Sequence, residues 1–274
     1  MKLLIDAGNT RVKLGWLLPD GSRERQVGAF AHADIPDGLP HWLRTLPMRP
    51  RAALGVNVGG KVLGEAIAGI LEREIACPMH WQQSTTQALG LRNGYTQAAQ
   101  LGTDRWLAML GLWAHPTHRP AGASRPVQVL ASFGTATTID TLSSQGIFEG
   151  GLILPGLQLM LNSLASGTAN LPLADGQAVE LPRDTHQAIT TGVLAAQAGA
   201  VLRQLLTARN RFPGAALRLA VTGGAWPNIQ PELERLLAQA GMAITPWIMD
   251  NPVLDGLAML AGQTPDLTAP PSHA

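Results

Sequence analysis

Cysteine is all but missing: Cys77 is the only one in 274 residues. That excludes an internal disulfide framework and a zinc site built on several thiolates. Charge is also scarce. Only 14% of residues are charged, and 20 Lys and Arg against 19 Asp and Glu leave a net charge of +1. So balanced a chain argues against binding driven by phosphate neutralisation, and no direct nucleic-acid partner is expected. Long apolar runs are missing too. The nearest, residues 152–164, is broken by Pro155, Gln158, Asn162 and Ser163. The opening Met1-Lys2-Leu3-Leu4-Ile5 meets Asp6 too early for a secretory h-region. The expectation is a soluble, cytoplasmic protein without a membrane partner.

What is present suits a globular protein. The length predicts one large or two medium domains, and 46% hydrophobic residues suffice for a sizeable core. Residues 2–5 form an apolar run that ends in Asp6-Ala7-Gly8-Asn9-Thr10. Val12, Leu14, Trp16 and Leu18 then alternate with other residues, which predicts a strand–turn–strand hairpin. Residues 127–142 follow the same plan, with Ser132-Phe133-Gly134-Thr135-Ala136 as the turn. Between the two lie a strand at 52–58, an amphipathic helix marked by Val62, Leu63, Ala66, Ile67, Ile70 and Leu71, and an apolar helix at 105–113 capped by Thr103-Asp104. The stretch 115–126, rich in Pro, Ala, Gly, Ser and His, reads as a linker. Beyond 142 the pattern is mostly helical: 157–164, 187–208, 229–240 and a last helix from Asn251-Pro252 to Gly262, with one strand at 217–222. Gly192, Ala195, Ala196 and Gly199 give the helix at 187–208 a small-residue side suited to close helix contact, within a domain or across a dimer.

Several motifs carry chemistry. Gly55-Val56-Asn57-Val58-Gly59-Gly60-Lys61 matches the spacing of a nucleotide-binding P-loop, but Val62 stands where Ser or Thr should hold magnesium. It reads as a plain strand-to-helix connection. In the first hairpin turn, Gly8 lets the backbone N–H groups approach phosphate oxygens, and Asp6 at its edge suits magnesium held through water. Arg11 and Lys13 share one strand face, and one of them can reach a phosphate. Gly102-Thr103-Asp104-Arg105 enters a buried helix. Asp104 reads either as a helix-start anion or as a base that orients a substrate hydroxyl. Arg105 reads as a surface arginine or as a bidentate carboxylate binder. Asp140 is a candidate second carboxylate near the phosphates, and His115 and His118 read as linker residues rather than metal ligands.

Asp6-Ala7-Gly8-Asn9-Thr10, Tyr95 before Gly102-Thr103-Asp104-Arg105, and Gly134-Thr135-Ala136-Thr137-Thr138 together resemble the type III pantothenate kinases, also called the Bvg accessory factor family. The resemblance covers about residues 1–262 in order. It implies an α/β fold of the actin-like, or acetate and sugar kinase, superfamily: two ribonuclease-H-like domains with a cleft between them, here residues 1–118 and 119–262, with a tail at 263–274. It implies phosphorylation of pantothenate by ATP, the first step towards coenzyme A, in a homodimer. Asp6, Ala7, Gly8, Asn9, Thr10, Arg11, Val12 and Lys13 match the family's first phosphate motif, and Thr135 matches an ATP-contacting threonine. Asp104 matches the proton acceptor; Tyr95, Gly102, Thr103, Arg105 and Thr185 match substrate contacts. Magnesium with ATP and a monovalent cation, ammonium or potassium, are the implied cofactors. Ser132 stands where many members carry a potassium-binding aspartate, which puts that cation in question, and Ala98 replaces a frequent proline. A regulatory protein on the same fold, or a kinase of another small hydroxy substrate, remains as an alternative.

Overall fold

The structure, a computed structural model, describes residues 1–115 and 125–263. Most of the expected linker, including His118, and the tail at 264–274 lie outside the described residues. The chain divides into two compact units: residues 1–116 with 251–274, and residues 117–250.

In the first unit, β1 (Lys2–Ala7), β2 (Arg11–Leu17), β3 (Gly28–Ala31), β4 (Ala52–Asn57) and β5 (Met79–Trp81) form a sheet in the order β3-β2-β1-β4-β5. β1 pairs antiparallel with β2 and parallel with β4. Leu3, Leu4 and Ile5 are wholly buried, as a central strand covered on both faces requires. α1 (Ile35–Arg44) and α2 (Lys61–Ile75) bury stripes at helical spacing: Ile35, Leu39 and Leu43 on one, Leu63, Ile67, Ile70 and Leu71 on the other. The sequence pattern hid α1, because Pro36, Gly38 and Pro40 sit within ten residues. Pro36 falls in the first turn, where its missing N–H costs nothing, and the buried stripe offsets Pro40. The unit continues through the hairpin β6 (Gln87–Ala88) and β7 (Leu91–Asn93) to α3 (Thr103–Ala114).

The second unit repeats the plan. β8 (Val127–Phe133) pairs antiparallel with β9 (Ala136–Leu142), which pairs antiparallel with β10 (Ile147–Pro155). After α4 (Leu157–Gly167) and α5 (Thr185–Arg211), β11 (Leu217–Thr222) returns parallel to β8; α6 (Trp226–Gln239) and β12 (Trp247–Ile248), parallel to β11, follow. Within this unit the strand order is β10-β9-β8-β11-β12, the counterpart of β3-β2-β1-β4-β5. Val127, Val129, Ala131 and Phe133 alternate into a core completed by Leu194, Ala198, Val201 and Leu205 of α5 and Ile229, Leu233 and Leu237 of α6. α5 is long and apolar enough to cross a membrane by length and composition. Its buried stripe in this core accounts for that apolarity. β10 is a strand that the expectation of a mostly helical remainder did not include. Gly150, at φ 107°, makes the bulge at which its register shifts, and Gly150 and Gly151 mask the strand pattern. On the small-residue side of α5, a Cβ at Gly192 or Gly199 would meet no described atom within 4 Å.

α7 (Pro252–Gln263) packs on α3, β1 and β2 and so groups with the first unit, whereas the sequence expectation assigned 119–262 to one domain. The two helices meet backbone to backbone. A Cβ on Gly256 would collide with the Leu107 carbonyl oxygen, and one on Gly111 would collide with that of Pro252. Lys2 Nζ donates to the Ala261 carbonyl at 2.6 Å, and Arg23 Nε pairs with Asp255 at 2.7 Å.

Candidate functional site

The first hairpin places Asp6 and Lys13 directly opposite each other across β1 and β2. Between them the turn Gly8-Asn9-Thr10 is closed by the Gly8 N–H, which donates to the Arg11 carbonyl at 3.0 Å. Asn9, Thr10 and Arg11 are exposed. The side chains of Ala7 and Val12 are wholly buried in the core, so those two residues can offer a ligand only their backbone. Asp6 is recessed, and its pKa is raised to about 6. Burial is the main cause. The Lys13 ammonium opposes it, and the Asp104 carboxylate adds to it. In the sheet Ala7 pairs with Asn57 of β4, and Asn57 and Thr103, the first residue of α3, line one recess.

Asp104 is not a cap. α3 begins at Thr103 with Gly102 before it and no side-chain cap, and Asp104 sits in the first turn, where its Oδ1 accepts from the Arg105 N–H at 2.8 Å. It is partly exposed. Gly102 has little room for a side chain: a Cβ would lie 2.8 Å from that same Oδ1. Arg105 is no surface arginine; it is 6% exposed. Its Nη1 donates to the Tyr95 hydroxyl at 3.0 Å, and its guanidinium lies 5.8 Å from the centre of the Tyr95 ring. The Tyr95 N–H in turn donates to Asn93 Oδ1 at 3.0 Å, and Ser84 Oγ donates to the Leu101 carbonyl at 2.7 Å. Beside Thr103 a recess of about 520 Å³ is lined by Asn57, Trp81, Gln82, Gln83 and Ser84. Asp6, Lys13, Asp104, Arg105 and Tyr95 thus all belong to the first unit.

The remaining candidates belong to the second unit. The exposed Thr135 occupies the β8–β9 turn, where the Gly134 N–H donates to the Ala136 carbonyl at 3.2 Å, much as Gly8 does in the first turn. Two glycines crowd this turn. A Cβ on Gly156 would collide with the Gly134 carbonyl oxygen, and one on Gly223 with that of Phe133. Gly156 has no signal in the sequence beyond its identity. Ser132 pairs with Thr138 and Thr222 on the flanking strands. Thr185 opens α5, where Asp184 is the N-cap and its Oδ1 accepts from the Gln187 N–H at 2.8 Å. It lines an open cavity of about 790 Å³ with Met160, Leu164 and Ile189. Asp140 is buried in β9 at 1% exposure. Among the described residues, no cluster of three or more His, Cys, Asp or Glu is placed to hold a metal ion.

Comparison with known proteins gives a consistent result. The family model for type III pantothenate kinase matches residues 2–207. A protein of Bordetella petrii named type III pantothenate kinase is 54% identical over 267 residues, 96% of this chain and 98% of that one. Two solved structures share the fold at low identity. One, from Campylobacter jejuni and described as a Baf family transcriptional activator, has a TM-score of 0.54 at 18% identity over 97% of this chain and all of the other. The second, a Sinorhizobium meliloti protein described as a 2-dehydro-3-deoxygalactonokinase, has a TM-score of 0.54 at 14% identity over 95% of this chain and 98% of its own.

Proposed function

The chain belongs to the type III pantothenate kinase family, and from that premise we propose that it transfers the γ-phosphoryl group of ATP to the terminal hydroxyl of pantothenate, the first step of coenzyme A synthesis. The observation that carries the site assignment is the register that sets Ala7, at the end of β1, beside Asn57 of β4, which lines one recess with Thr103 at the start of α3. It sets a phosphate-binding turn beside a carboxylate able to receive a hydroxyl proton, and phosphoryl transfer asks chiefly for that positioning.

Each residue then has a role. Backbone N–H groups of the first turn and the Lys13 ammonium hold phosphate oxygens; Thr135 adds a hydroxyl to the nucleotide. Asp104 orients the pantothenate hydroxyl and takes its proton as the oxygen attacks the γ-phosphorus, and ADP leaves. Arg105, its guanidinium set by Tyr95, holds the pantothenate carboxylate. The carboxamides and hydroxyl around the recess beside Thr103 suit a substrate that carries an amide and hydroxyls. Thr185 supplies a further contact to the substrate.

A divalent ion fits the donor set. Asp6 is a hard oxygen ligand whose charge is costly in the free protein, which suits magnesium that arrives on ATP and keeps its waters. Bound there, the ion would neutralise phosphate charge. Ser132, Thr138 and Thr222 offer neutral hydroxyls rather than a carboxylate, so we expect any monovalent cation to be held weakly. We extend the reading to a cytoplasmic homodimer, on the apolar cavity beside Thr185 and the exposed Leu159, Leu173 and Leu181 around α4 and α5.

The test is pantothenate-dependent ADP release, with the phosphorylated product identified by mass, for wild type and Asp104→Asn in sodium, potassium and ammonium salts. Turnover by wild type, a loss of about 10²-fold or more in folded Asp104→Asn, and little difference among the salts are expected. A folded wild type silent in all three salts refutes the kinase reading.

A further inference from the structure

The strand-to-helix loop with P-loop spacing has no phosphate role in the proposed reaction, yet it lies against the first turn. The N–H groups of Val58 and Gly59 donate to the Ala7 carbonyl at 2.9 and 3.2 Å. Asn57 braces this loop: its Oδ1 accepts from the Gly59 N–H at 3.0 Å and its Nδ2 donates to the Gly60 carbonyl at 2.9 Å. A Cβ on Gly59 would lie 2.8 Å from the Gly8 carbonyl oxygen. His32 approaches that same oxygen, its Nε2 at 2.9 Å. A carbonyl can only accept, so Nε2 donates. The sheet register explains its arrival: Ala31, the last residue of β3, pairs with Arg11, the first of β2.

We infer that His32 is a positioning residue for the nucleotide, acting through the Gly8 carbonyl. The Gly8–Asn9 peptide is trans, so its C=O and the Asn9 N–H point in opposite directions. By holding the carbonyl inward, His32 aims the Asn9 N–H away from the fold, as a preformed donor for a phosphate oxygen. Val58 and Gly59 hold the preceding peptide, whose Gly8 N–H is given to the Arg11 carbonyl. The turn is thereby organised before ATP arrives, which reduces the ordering cost of binding.

The inference rests on the reading of this turn as the ATP phosphate site, and the experiment separates the two. ATP binding by calorimetry and steady-state kinetics are measured for wild type, His32→Ala, His32→Gln and Gly59→Ala. His32→Ala is expected to raise KM for ATP about tenfold and leave KM for pantothenate within about twofold; His32→Gln, which keeps a donor, should recover most of the loss. Gly59→Ala, which presses on the same carbonyl from the other side, should weaken ATP in the same selective way. If wild type binds no ATP, the phosphate reading fails and the inference with it. If wild type binds ATP and His32→Ala binds it equally well, or weakens both substrates alike without rescue by His32→Gln, the phosphate reading stands and His32 has no positioning role.

Discussion

At the scale of single residues, Asp6 is a pH-dependent burden on the free protein. Its pKa is raised from 3.8 to about 6, chiefly by burial. The folded state therefore binds more protons than the unfolded chain between these values, and stability falls as pH rises through that window. The full shift corresponds to at most about 3 kcal/mol. Asp6→Asn is expected to melt higher than wild type at pH 7 and to match it near pH 4; parallel melting curves across pH 4–7 would contradict this. Activity should move in the opposite direction, since the ionised form is the one that suits a cation, and should decline below about pH 6. Cys77 has no such role. It is buried, and desolvation pushes its thiol up to about 11, so thiolate chemistry is suppressed. The motif spacing was enough to single out Asp6, Asp104 and Arg105. Their environment was not legible, because burial of Arg105 and its bond to Tyr95 depend on chain segments ten residues apart folding together. His32 had no motif at all; only the β2–β3 register brings it to Gly8.

At the scale of elements, the decisive contact is between α3 and α7. Gly111 and Gly256 let the two backbones touch, and no flexible side chain stands ready to give way at Gly256, where an added Cβ would meet the Leu107 carbonyl. Gly256→Ala must push the helices apart, a change expected to cost about 1–3 kcal/mol or more. Because α3 carries Asp104 and Arg105 at its start, the same substitution should lower kcat even where the protein remains folded. Thermal melting together with kcat tests this; an unchanged melting temperature would show that the contact yields freely. Alanine at Gly262, which lies in the same helix and faces open space, is the matched control and should be neutral or stabilising, since alanine favours helix. The interior glycines of α3 and α7 looked like minor interruptions in apolar helices. Sequence periodicity shows which face is apolar, not which other helix comes close enough to need a glycine.

At the scale of the whole molecule, two copies of one sheet plan account for both glycine turns. In each unit a three-strand antiparallel run adjoins parallel strands, and the turn follows the central strand, β1 or β8. The first unit is completed only by the last helix of the chain. Leu254 and Leu257 are wholly buried, and each contributes roughly 1.5–3 kcal/mol; with the Arg23–Asp255 pair and the Lys2 bond to Ala261, α7 supplies a share comparable to the net stability of a domain. A chain truncated after Asp250 should therefore lose the cooperative folding of its first unit, which would appear in calorimetry as the loss of that unit's transition. Retention of a two-unit melting profile would disprove it.

The division of information follows from range. Hairpin turns, helix stripes and the ordered motifs of a kinase family are local patterns, each written within a few neighbouring residues, so the sequence alone determined the repeated strand–turn–strand plan, the family and most candidate site residues. It did not determine that residues 252–263 return to the first unit, that the P-loop-like segment supports the first hairpin turn, or that Asn57 and Thr103 line one recess. Those depend on contacts between residues tens to hundreds of positions apart, where burial and register, not local propensity, decide which atoms meet.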